Sequence, residues 1–299
     1  AVHIEGREPG QVRNQLVLDL SRREVIEYVY ESVASILRQA NIEYVKWDMN
    51  RPFTDIGSSE LDADRQGEIM HRHTLAVYEL QGRLLKEFPY LLLENCSSGG
   101  ARFDPGMLYF SPQIWCSDDT DAIERLAIQE STALMYPLSV IGAHVSDCPN
   151  HTVGRVTPFK TRGIIAMAGT FGYELDVTKI PEEDRNMIAS QVETYKKYCP
   201  IIQSGDYYRI ASYQSNHYFD CYEIVSKDKK EAILVFVQVI AQPNMHSIRV
   251  KLKGLDNEAK YKINGTVYDA DALMNGGFII KRPWGDFQAE LFHIEKIND

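Results

Sequence analysis

The sequence has no long apolar run and no excess of positive charge. No stretch approaches the roughly 20 apolar residues that cross a bilayer, which argues against a membrane-spanning protein. The formal net charge is −10. A chain of this charge is repelled by nucleic acid and by anionic membrane surfaces, so we expect neither as a partner. A small neutral substrate fits this composition better.

Cysteine is scarce, and its spacing follows no known framework. The count is five, which is odd, and no two cysteines form a C-x-x-C pair. These features argue against a disulfide scaffold and against a zinc ribbon, and favour a reducing, cytoplasmic location. The sequence begins at Ala1 without an initiator Met or a signal pattern. We therefore expect it to start inside a longer polypeptide, so the missing signal carries no information on export.

Motifs for nucleotides and metals are also missing. Residues 95–100 form a glycine-containing turn but lack the Gly-Lys-Ser/Thr ending of a phosphate loop. His71 and His73 are two residues apart in a helical stretch, so they lie on different faces. Residues 118–121 are acidic but lack the remaining ligands of a calcium loop. The sequence therefore predicts no metal site and no cofactor.

The first two thirds of the chain alternate between helical and strand patterns. Residues 21–24 have the form of a capping box and precede apolar residues at helical spacing. Strands are predicted at 44–50 and at 90–94, separated by a helix over 64–88. Asp121 and Glu124 predict a helix start. This alternation predicts an α/β region with a parallel sheet over residues 1–203.

A change of period after residue 203 predicts a second domain over residues 204–299. A helix that opens at Pro181 is expected to end near Pro200. Residues 232–239 read as a central apolar strand. Residues 261–268 contain Asn264-Gly265 between two short β patterns, which is the signal of a hairpin with a type I′ turn. We expect a small antiparallel β-sandwich.

The stretch Tyr44–Arg51 concentrates polar groups at a strand end. Alternation places Lys46, Asp48 and Asn50 on one face and Trp47 on the other. The ammonium of Lys46 would favour the ionised form of Asp48, and an oriented carboxylate suits a nucleophile or an electrostatic stabiliser. A plain strand-end salt bridge is an equally open alternative.

Polar residues recur at the ends of the following strands, where active sites lie in α/β folds. After the first set come Glu94 with Cys96, Asp118 with Asp119, and His144 with Asp147. Two carboxylates facing across one cavity suit glycoside hydrolysis, but any α/β enzyme places polar residues here. Cys96 is better explained as a small residue lining a pocket than as a nucleophile. Trp47 and Trp115 belong either to the core or against a sugar face.

Several blocks of sequence closely resemble glycoside hydrolase family 36, the microbial α-galactosidases. The blocks are Arg13–Asp19, Lys46–Arg51, Glu94–Gly100, Arg102–Met107 and Trp115–Asp121. They are long, ordered and correctly spaced. The resemblance implies a (β/α)₈ TIM barrel, of which this chain holds only the later strands, followed by the small antiparallel β-sandwich domain.

The resemblance also implies roles for single residues. Asp48 matches the nucleophile of a retaining mechanism, and Asp118, rather than Asp119, matches the acid/base. The charge on Asp48 would favour the protonated Asp118 that must donate. The predicted substrate-binding residues are Arg13, Lys46, Trp47, Asn50, Cys96, Ser97, Gly99 and Trp115. The implied substrates are oligosaccharides with a terminal α-D-galactosyl residue, such as the raffinose and melibiose series, cleaved by double displacement.

Two alternatives remain open. One is α-N-acetylgalactosaminidase activity on the same framework, with Cys96 as the position to watch. The other is a non-catalytic carbohydrate-binding or assembly fragment, because the family's N-terminal β-sandwich and three early barrel strands are absent from this sequence. The resemblance further implies a homo-oligomer, a tetramer, for the full-length protein. We expect the isolated chain to be poorly stable and weakly active or inactive, because an open barrel exposes strand edges.

Overall fold

A computed structural model describes residues 1–244 and 247–297 of the chain. The chain divides into two compact units, Ala1–Asp118 and Asp119–Asp299. Within the described residues, no helix combines the length and the apolar character needed to span a membrane. The predicted domain boundary between residues 203 and 204 lies inside the second unit and stays a prediction.

The first unit is a small parallel sheet covered by helices. Its helices are α1 (Arg23–Gln39), α2 (Ile69–Glu87) and α3 (Pro105–Phe110), with a 3₁₀ turn at Ala63–Glu68. Its strands are β1 (Tyr44–Asp48), β2 (Leu92–Cys96) and β3 (Gln113–Ile114). They pair in the order β1-β2-β3, with β1 at one margin of the sheet. Ala34 of α1, Leu80 and Leu84 of α2, and Leu93 of β2 share one buried cluster, which fixes the helices on the sheet.

The start of α1 differs from the predicted capping box. The N-cap is Arg22, and its side chain makes no capping hydrogen bond. The Ser21 hydroxyl instead donates to Asp19 at 2.6 Å, and the Ser58 hydroxyl donates to the other oxygen of Asp19 at 2.5 Å. Asp19 is buried, and a buried carboxylate requires such donors. The Ser21 hydroxyl therefore satisfies the buried carboxylate of Asp19 instead of capping α1.

The second unit opens with an α/β segment. Its helices are α4 (Ala122–Ala133), α5 (Phe159–Ala166) and α6 (Glu182–Ser204), with a 3₁₀ turn at Leu138–Val140. Strands β4 (Gly142–Ser146) and β5 (Thr170–Glu174) pair in parallel. Asp121 caps α4 by accepting from the amides of Ile123 and Glu124, so the predicted helix start is confirmed.

Helix α6 is longer than predicted, because it continues through Pro200 to Ser204. A proline removes one backbone donor from a helix, which normally ends or kinks it. Here Ile201 and Ile202, which follow the proline, are buried. The Ser204 hydroxyl also donates to the Pro200 carbonyl at 2.6 Å. Burial of this last turn offsets the lost hydrogen bond.

The remainder of the second unit is antiparallel. Its strands are β6 (Asp206–Ala211), β7 (Phe219–Val225), β8 (Glu231–Gln238), β9 (Ser247–Val250), β10 (Lys260–Ile263), β11 (Thr266–Asp269), β12 (Phe278–Lys281) and β13 (Gln288–Lys296). The short helix α7 (Tyr213–Asn216) and a π-helical turn at Ala272–Gly276 interrupt them. One sheet has the order β11-β10-β13-β8-β7-β6, and β12 pairs with β9.

The two antiparallel sheets enclose one core, which makes this part a sandwich. Leu234 and Phe236 of the larger sheet share a buried cluster with Val250 and Ile280 of the smaller one. Strand β8 is central, between β13 and β7, as its apolar run predicts. The predicted hairpin is confirmed: residues 264 and 265 have φ values of 49° and 82°, as a type I′ turn requires.

Candidate active site

The carboxylate of Asp48 lies at the carboxyl end of β1. Lys46 and Asp48 lie on the exposed face of this strand, whereas Trp47 packs into the core of the first unit. The side-chain amide of Asn50 donates to the Asp48 carboxylate at 2.6 Å. The side-chain oxygen of Asn50 accepts a hydrogen bond from the backbone amide of Ser98 at 3.1 Å. Asn50 therefore orients Asp48 and ties it to the turn that follows β2.

Cys96 is the β2 residue in register with Asp48. It is buried, and this burial raises the pKa of its thiol to about 11, with the negative charge of Asp48 acting in the same direction. The thiol is therefore protonated near neutral pH, which agrees with a pocket-lining role rather than a nucleophilic one. Beside it, the Ser97 hydroxyl donates to the Met49 carbonyl at 2.7 Å and closes the two strand ends on each other.

Gly99 joins the turn after β2 to the backbone that carries Asp118. Its φ is +84°, and a Cβ at this position would lie 2.8 Å from the Ser117 Cα and 3.1 Å from the Asp118 amide nitrogen. Only glycine allows both this backbone conformation and this approach. The structure thus brings the exposed Asp118 to the same end of the sheet as Asp48. The close approach is to protein backbone, and the predicted contact of Gly99 with a sugar stays a prediction.

Lys46 forms an ion pair with Glu94 of the neighbouring strand, Nζ to Oε1 at 3.5 Å. The ammonium also lies 5.1 Å from the centroid of the Trp115 ring. Trp115 is buried, so the structure places it beneath Lys46 rather than on an open surface. The sequence indicated Asp48 as the group that Lys46 affects and assigned no role to Glu94.

Arg13 lies in an exposed turn before α1. Its φ is 53° and that of Asn14 is 58°, and the amide of Gln15 closes the turn on the carbonyl of Val12 at 3.0 Å. Buried Arg51, which follows β1, donates to the Gln15 carbonyl at 3.2 Å. Arg51 thereby fastens the turn that carries Arg13 to the end of the strand that carries Asp48.

Arg102 is a structural residue of this site that the sequence did not reveal. It is largely buried, which lowers the pKa of its guanidinium. It donates to the Cys96 carbonyl at 2.6 Å and reaches the Trp47 carbonyl at 3.4 Å. These acceptors are backbone atoms 6 and 55 residues away. No charge pattern in the sequence could have indicated them.

The predicted residues therefore fall into three sets, of which Arg13, in the turn before α1, is one by itself. The structure gathers Lys46, Asp48, Asn50, Cys96, Ser97, Gly99, Trp115 and Asp118 at one end of the sheet of the first unit. Trp47 lies on the opposite face of β1, in the core. Within residues 1–244 and 247–297, no group of three or more His, Cys, Asp or Glu side chains is arranged to hold a metal ion. The site presents an oriented carboxylate with a second carboxyl group on an adjacent loop.

Comparison with known protein families matches both parts of the chain. The melibiase family model matches residues 1–205, and the model of the glycosyl hydrolase family 36 C-terminal domain matches residues 219–294. The chain belongs to glycoside hydrolase family 36. The family resemblance expected from the sequence blocks is thereby confirmed.

Individual family 36 proteins resemble the chain along almost its whole length. It is 45% identical over 99% of its residues to the α-galactosidase AgaA of Geobacillus stearothermophilus and, over the same share, to the α-galactosidase Mel36A of Lactobacillus acidophilus. The match covers 41% of each relative, so the chain spans about two fifths of their length.

Solved family 36 structures share this fold. The crystal structure of AgaA matches 99% of the chain with a TM-score of 0.95 and corresponds to 41% of that protein. A variant of AgaA in complex with raffinose matches with a TM-score of 0.96, at 44% identity over 99% of the chain and 41% of its own length. The predicted fold class, a portion of a (β/α)₈ barrel followed by a small antiparallel β domain, is confirmed.

Proposed function

We propose that the natural polypeptide containing this chain is a retaining α-galactosidase that releases terminal α-D-galactosyl residues from oligosaccharides. The observation that carries the proposal is the placement of Asp48 and Asp118. Asn50 orients the Asp48 carboxylate, and the Gly99 turn packs against the backbone of Asp118. Membership of family 36, with α-galactosidases among the relatives, supports the substrate class. Solved structures of AgaA variants contain raffinose or stachyose, and these ligands indicate the size of the proposed substrate.

The proposed reaction has two steps, with a carboxylate active in each. Asp48 attacks the anomeric carbon while Asp118 donates its proton to the departing glycosidic oxygen, which leaves as an alcohol. Asp118, now a carboxylate, then takes a proton from water, and the resulting oxygen nucleophile displaces Asp48. Two inversions at the anomeric carbon give net retention. The products are α-galactose and the shortened saccharide.

The remaining predicted residues are proposed to bind the sugar. Lys46 and Arg13 supply cationic donors for sugar hydroxyls, and the exposure of both side chains supports this role. Cys96, Ser97 and Gly99 lie at the end of β2 and in the turn after it, next to the end of β1 that carries Asp48, and are proposed to contact the sugar there. Asn50, Trp47 and Trp115 complete the proposed substrate-binding set. Asn50 acts mainly by holding Asp48, Trp115 acts from the interior, where it is buried, and Trp47 is partly buried against the core of the first unit.

The test uses an aryl α-galactoside with a good leaving group and added azide. In Asp48→Ala, azide can take the place of the missing nucleophile and attack the anomeric carbon directly, giving β-galactosyl azide. In Asp118→Ala, Asp48 still forms the covalent intermediate, and azide then displaces it to give α-galactosyl azide. We expect the rate of hydrolysis to fall by several orders of magnitude in each variant. We also expect the two variants to give galactosyl azides of opposite anomeric configuration, β from Asp48→Ala and α from Asp118→Ala. Proton NMR of the anomeric signals reads both products.

The outcomes separate the alternatives. The same azide product from both variants would contradict the assignment of roles to Asp48 and Asp118. Turnover of the N-acetylated aryl galactosaminide but not of the galactoside would establish the alternative α-N-acetylgalactosaminidase. A natural polypeptide that is inactive on both substrates would overturn the enzymatic proposal in favour of a binding or assembly function.

We also propose a homo-oligomeric, tetrameric assembly and a cytoplasmic location for the natural polypeptide. The family resemblance supports the first. The second is supported by the number and spacing of the cysteines, five with no C-x-x-C pair, which fit no disulfide framework and suit a reducing compartment. Size-exclusion chromatography with light scattering, and fractionation of the native host, test the two proposals.

A further inference from the structure

A row of polar side chains crosses the sheet at the level of Lys46, two residues before Asp48 on β1. Lys46 of β1 is in register with Glu94 of β2, and Glu94 is in register with Gln113 of β3. Residues in register on neighbouring parallel strands project to the same side of the sheet. Tyr44, two residues before Lys46 on β1, adds a fourth group on that face. Such a row is expensive to bury unless its members satisfy one another.

Glu94 is the fixed centre of this row. Its side chain is 2% exposed. One oxygen, Oε2, accepts from the Tyr44 hydroxyl and from the Gln113 amide, the latter at 3.1 Å. Burial raises the pKa of Tyr44, and the hydrogen bond to Glu94 adds to this, so the phenol keeps its proton and remains a donor. Two donors on one oxygen hold the carboxyl group in a single orientation.

The other oxygen of Glu94 is free for Lys46. Oε1 is buried and accepts no hydrogen bond, and the Lys46 ammonium lies 3.5 Å from it. That ammonium also stands over the Trp115 ring at 5.1 Å from its centroid. A lysine side chain is flexible and loses rotamer entropy when it is fixed in one position. The carboxylate and the ring restrain it on two sides, while 38% of the side chain stays exposed.

We infer that Glu94 is a positioning residue that aims the Lys46 ammonium at the sugar. The inference rests on the proposed function, because it requires that Lys46 donates to a substrate hydroxyl. Glu94 does not touch the substrate. It fixes the height and direction of Lys46 beside Asp48, with Tyr44 and Gln113 fixing Glu94 in turn. A buried ion pair that merely stabilised the sheet would not affect substrate binding once the protein is folded.

The experiment compares Glu94→Gln with Glu43→Gln in the natural polypeptide that contains this chain. Glu43 lies on the same segment, is exposed, and undergoes the same chemical change. Releasing Lys46 weakens binding of the galactosyl group, so we expect Glu94→Gln to raise KM for an aryl α-galactoside about tenfold, because small misplacements of a binding group are costly. We expect kcat to fall less than about threefold, and Glu43→Gln to match wild type.

A double-mutant cycle tests whether Glu94 acts through Lys46. Lys46→Met removes the ammonium and keeps most of the side-chain length. If Glu94 works by aiming that ammonium, adding Glu94→Gln to Lys46→Met changes KM less than about twofold. Tyr44→Phe removes one donor to Glu94 without changing any charge. It should raise KM in the same direction by a smaller factor, and it keeps the inference testable if Glu94→Gln folds poorly.

The outcomes of the two tests are distinct. Full additivity in the cycle, or a loss of kcat at constant KM in Glu94→Gln and in Tyr44→Phe, would overturn the positioning role and leave a structural one. An unchanged KM in Glu94→Gln, with wild type active, would overturn it as well. If the wild-type protein cleaves no α-galactoside, the proposed function fails and this inference fails with it.

Discussion

At the scale of single residues, the candidate site depends on atoms that are not themselves reactive. Asn50 orients Asp48, and Gly99 lets the turn after β2 meet the backbone of Ser117 and Asp118. A side chain at position 99 is therefore excluded twice, once by its φ of +84° and once by contact with backbone atoms. Glycine at this position therefore allows the turn after β2 to lie against the backbone of Ser117 and Asp118.

Gly99→Ala should push the turn after β2 away from the segment that carries Asp118. The new Cβ would meet backbone that cannot move aside like a flexible side chain, so the segment carrying Asp118 must shift. We expect kcat/KM on an aryl α-galactoside to fall about a hundredfold, the typical effect of displacing a catalytic group by about an ångström.

Gly6→Ala is the matched control for this change. Gly6 also has a positive φ, +76°, but among the described residues no heavy atom beyond its two chain neighbours lies within 4 Å of the position its Cβ would take. Gly6→Ala therefore introduces backbone strain of about 1 kcal/mol but no steric clash. Equal activity losses in the two variants would show that strain alone, and not the contact with Ser117 and Asp118, accounts for the effect.

At the scale of elements, the start of α4 carries more than a helix cap. Asp121 accepts from two amides of the first turn and also forms an ion pair with Arg155. It is buried. A single carboxylate thus satisfies helix amides and neutralises the guanidinium of a loop residue.

Asp121→Ala should destabilise the protein by about 2 kcal/mol, the upper range for loss of an N-cap, because Arg155 also loses one of its two carboxylate partners and keeps only Glu124. Asp121→Asn keeps the capping oxygen and loses only the charge, so about half of that loss is expected. Urea denaturation followed by circular dichroism measures both. Equal losses in the two variants would assign the effect to the Arg155 pair alone.

The local features of the elements could be predicted from the sequence, and the long-range ones could not. The alternation along β1, the Asp121 cap and the Asn264-Gly265 turn depend on neighbouring residues, and all three were predicted. Ser21 was wrongly assigned as a cap because its actual partner, Asp19, is buried among distant contacts. The end of α6 was missed because tertiary burial, not local propensity, sustains the turn after Pro200.

The same division holds for the site. Motif spacing indicated the two carboxyl groups and most of the residues around them. Arg102 holds the backbone carbonyls of Trp47 and Cys96, and Glu94 holds Lys46. These contacts join residues that are 6 to 55 positions apart, so the spacing of motifs could not indicate them. Backbone acceptors in particular leave no trace in the sequence.

At the scale of the whole molecule, two buried acids predict that stability falls as pH rises. Asp220 and Glu223, both on β7, are 3% and 0% exposed. Burial raises the pKa of Asp220 to about 7, and burial raises that of Glu223 to about 8. Both groups are therefore protonated in the folded protein at pH values where the unfolded chain has released their protons.

The sign follows from linkage. Between about pH 4, where unfolded carboxyl groups ionise, and about pH 7 to 8, the folded state binds more protons than the unfolded state. Stability from these groups is therefore full below about pH 4, is lost as pH rises, and levels off above about pH 8. We expect Tm to fall from about pH 5 to about pH 8, and the variant Asp220→Asn/Glu223→Gln to flatten that decline.

The control for this prediction is a pair of exposed acids in the same domain. Glu258→Gln/Asp269→Asn makes the same two chemical changes, one Asp to Asn and one Glu to Gln, at exposed positions and without altering a buried group. It should leave the slope of Tm against pH as in wild type. A parallel slope in the Asp220/Glu223 variant would show that other groups govern the pH dependence.

The strand that carries Asp48 is the margin strand of its sheet, since β1 pairs with β2 on one side only among the described residues. The unpaired edge of such a strand presents backbone N–H and C=O groups to any segment that pairs there. Under the proposed function, a segment bound at this edge would also fix the position of the Asp48 carboxylate. We then expect loss of that segment to lower the proposed activity before it unfolds the protein.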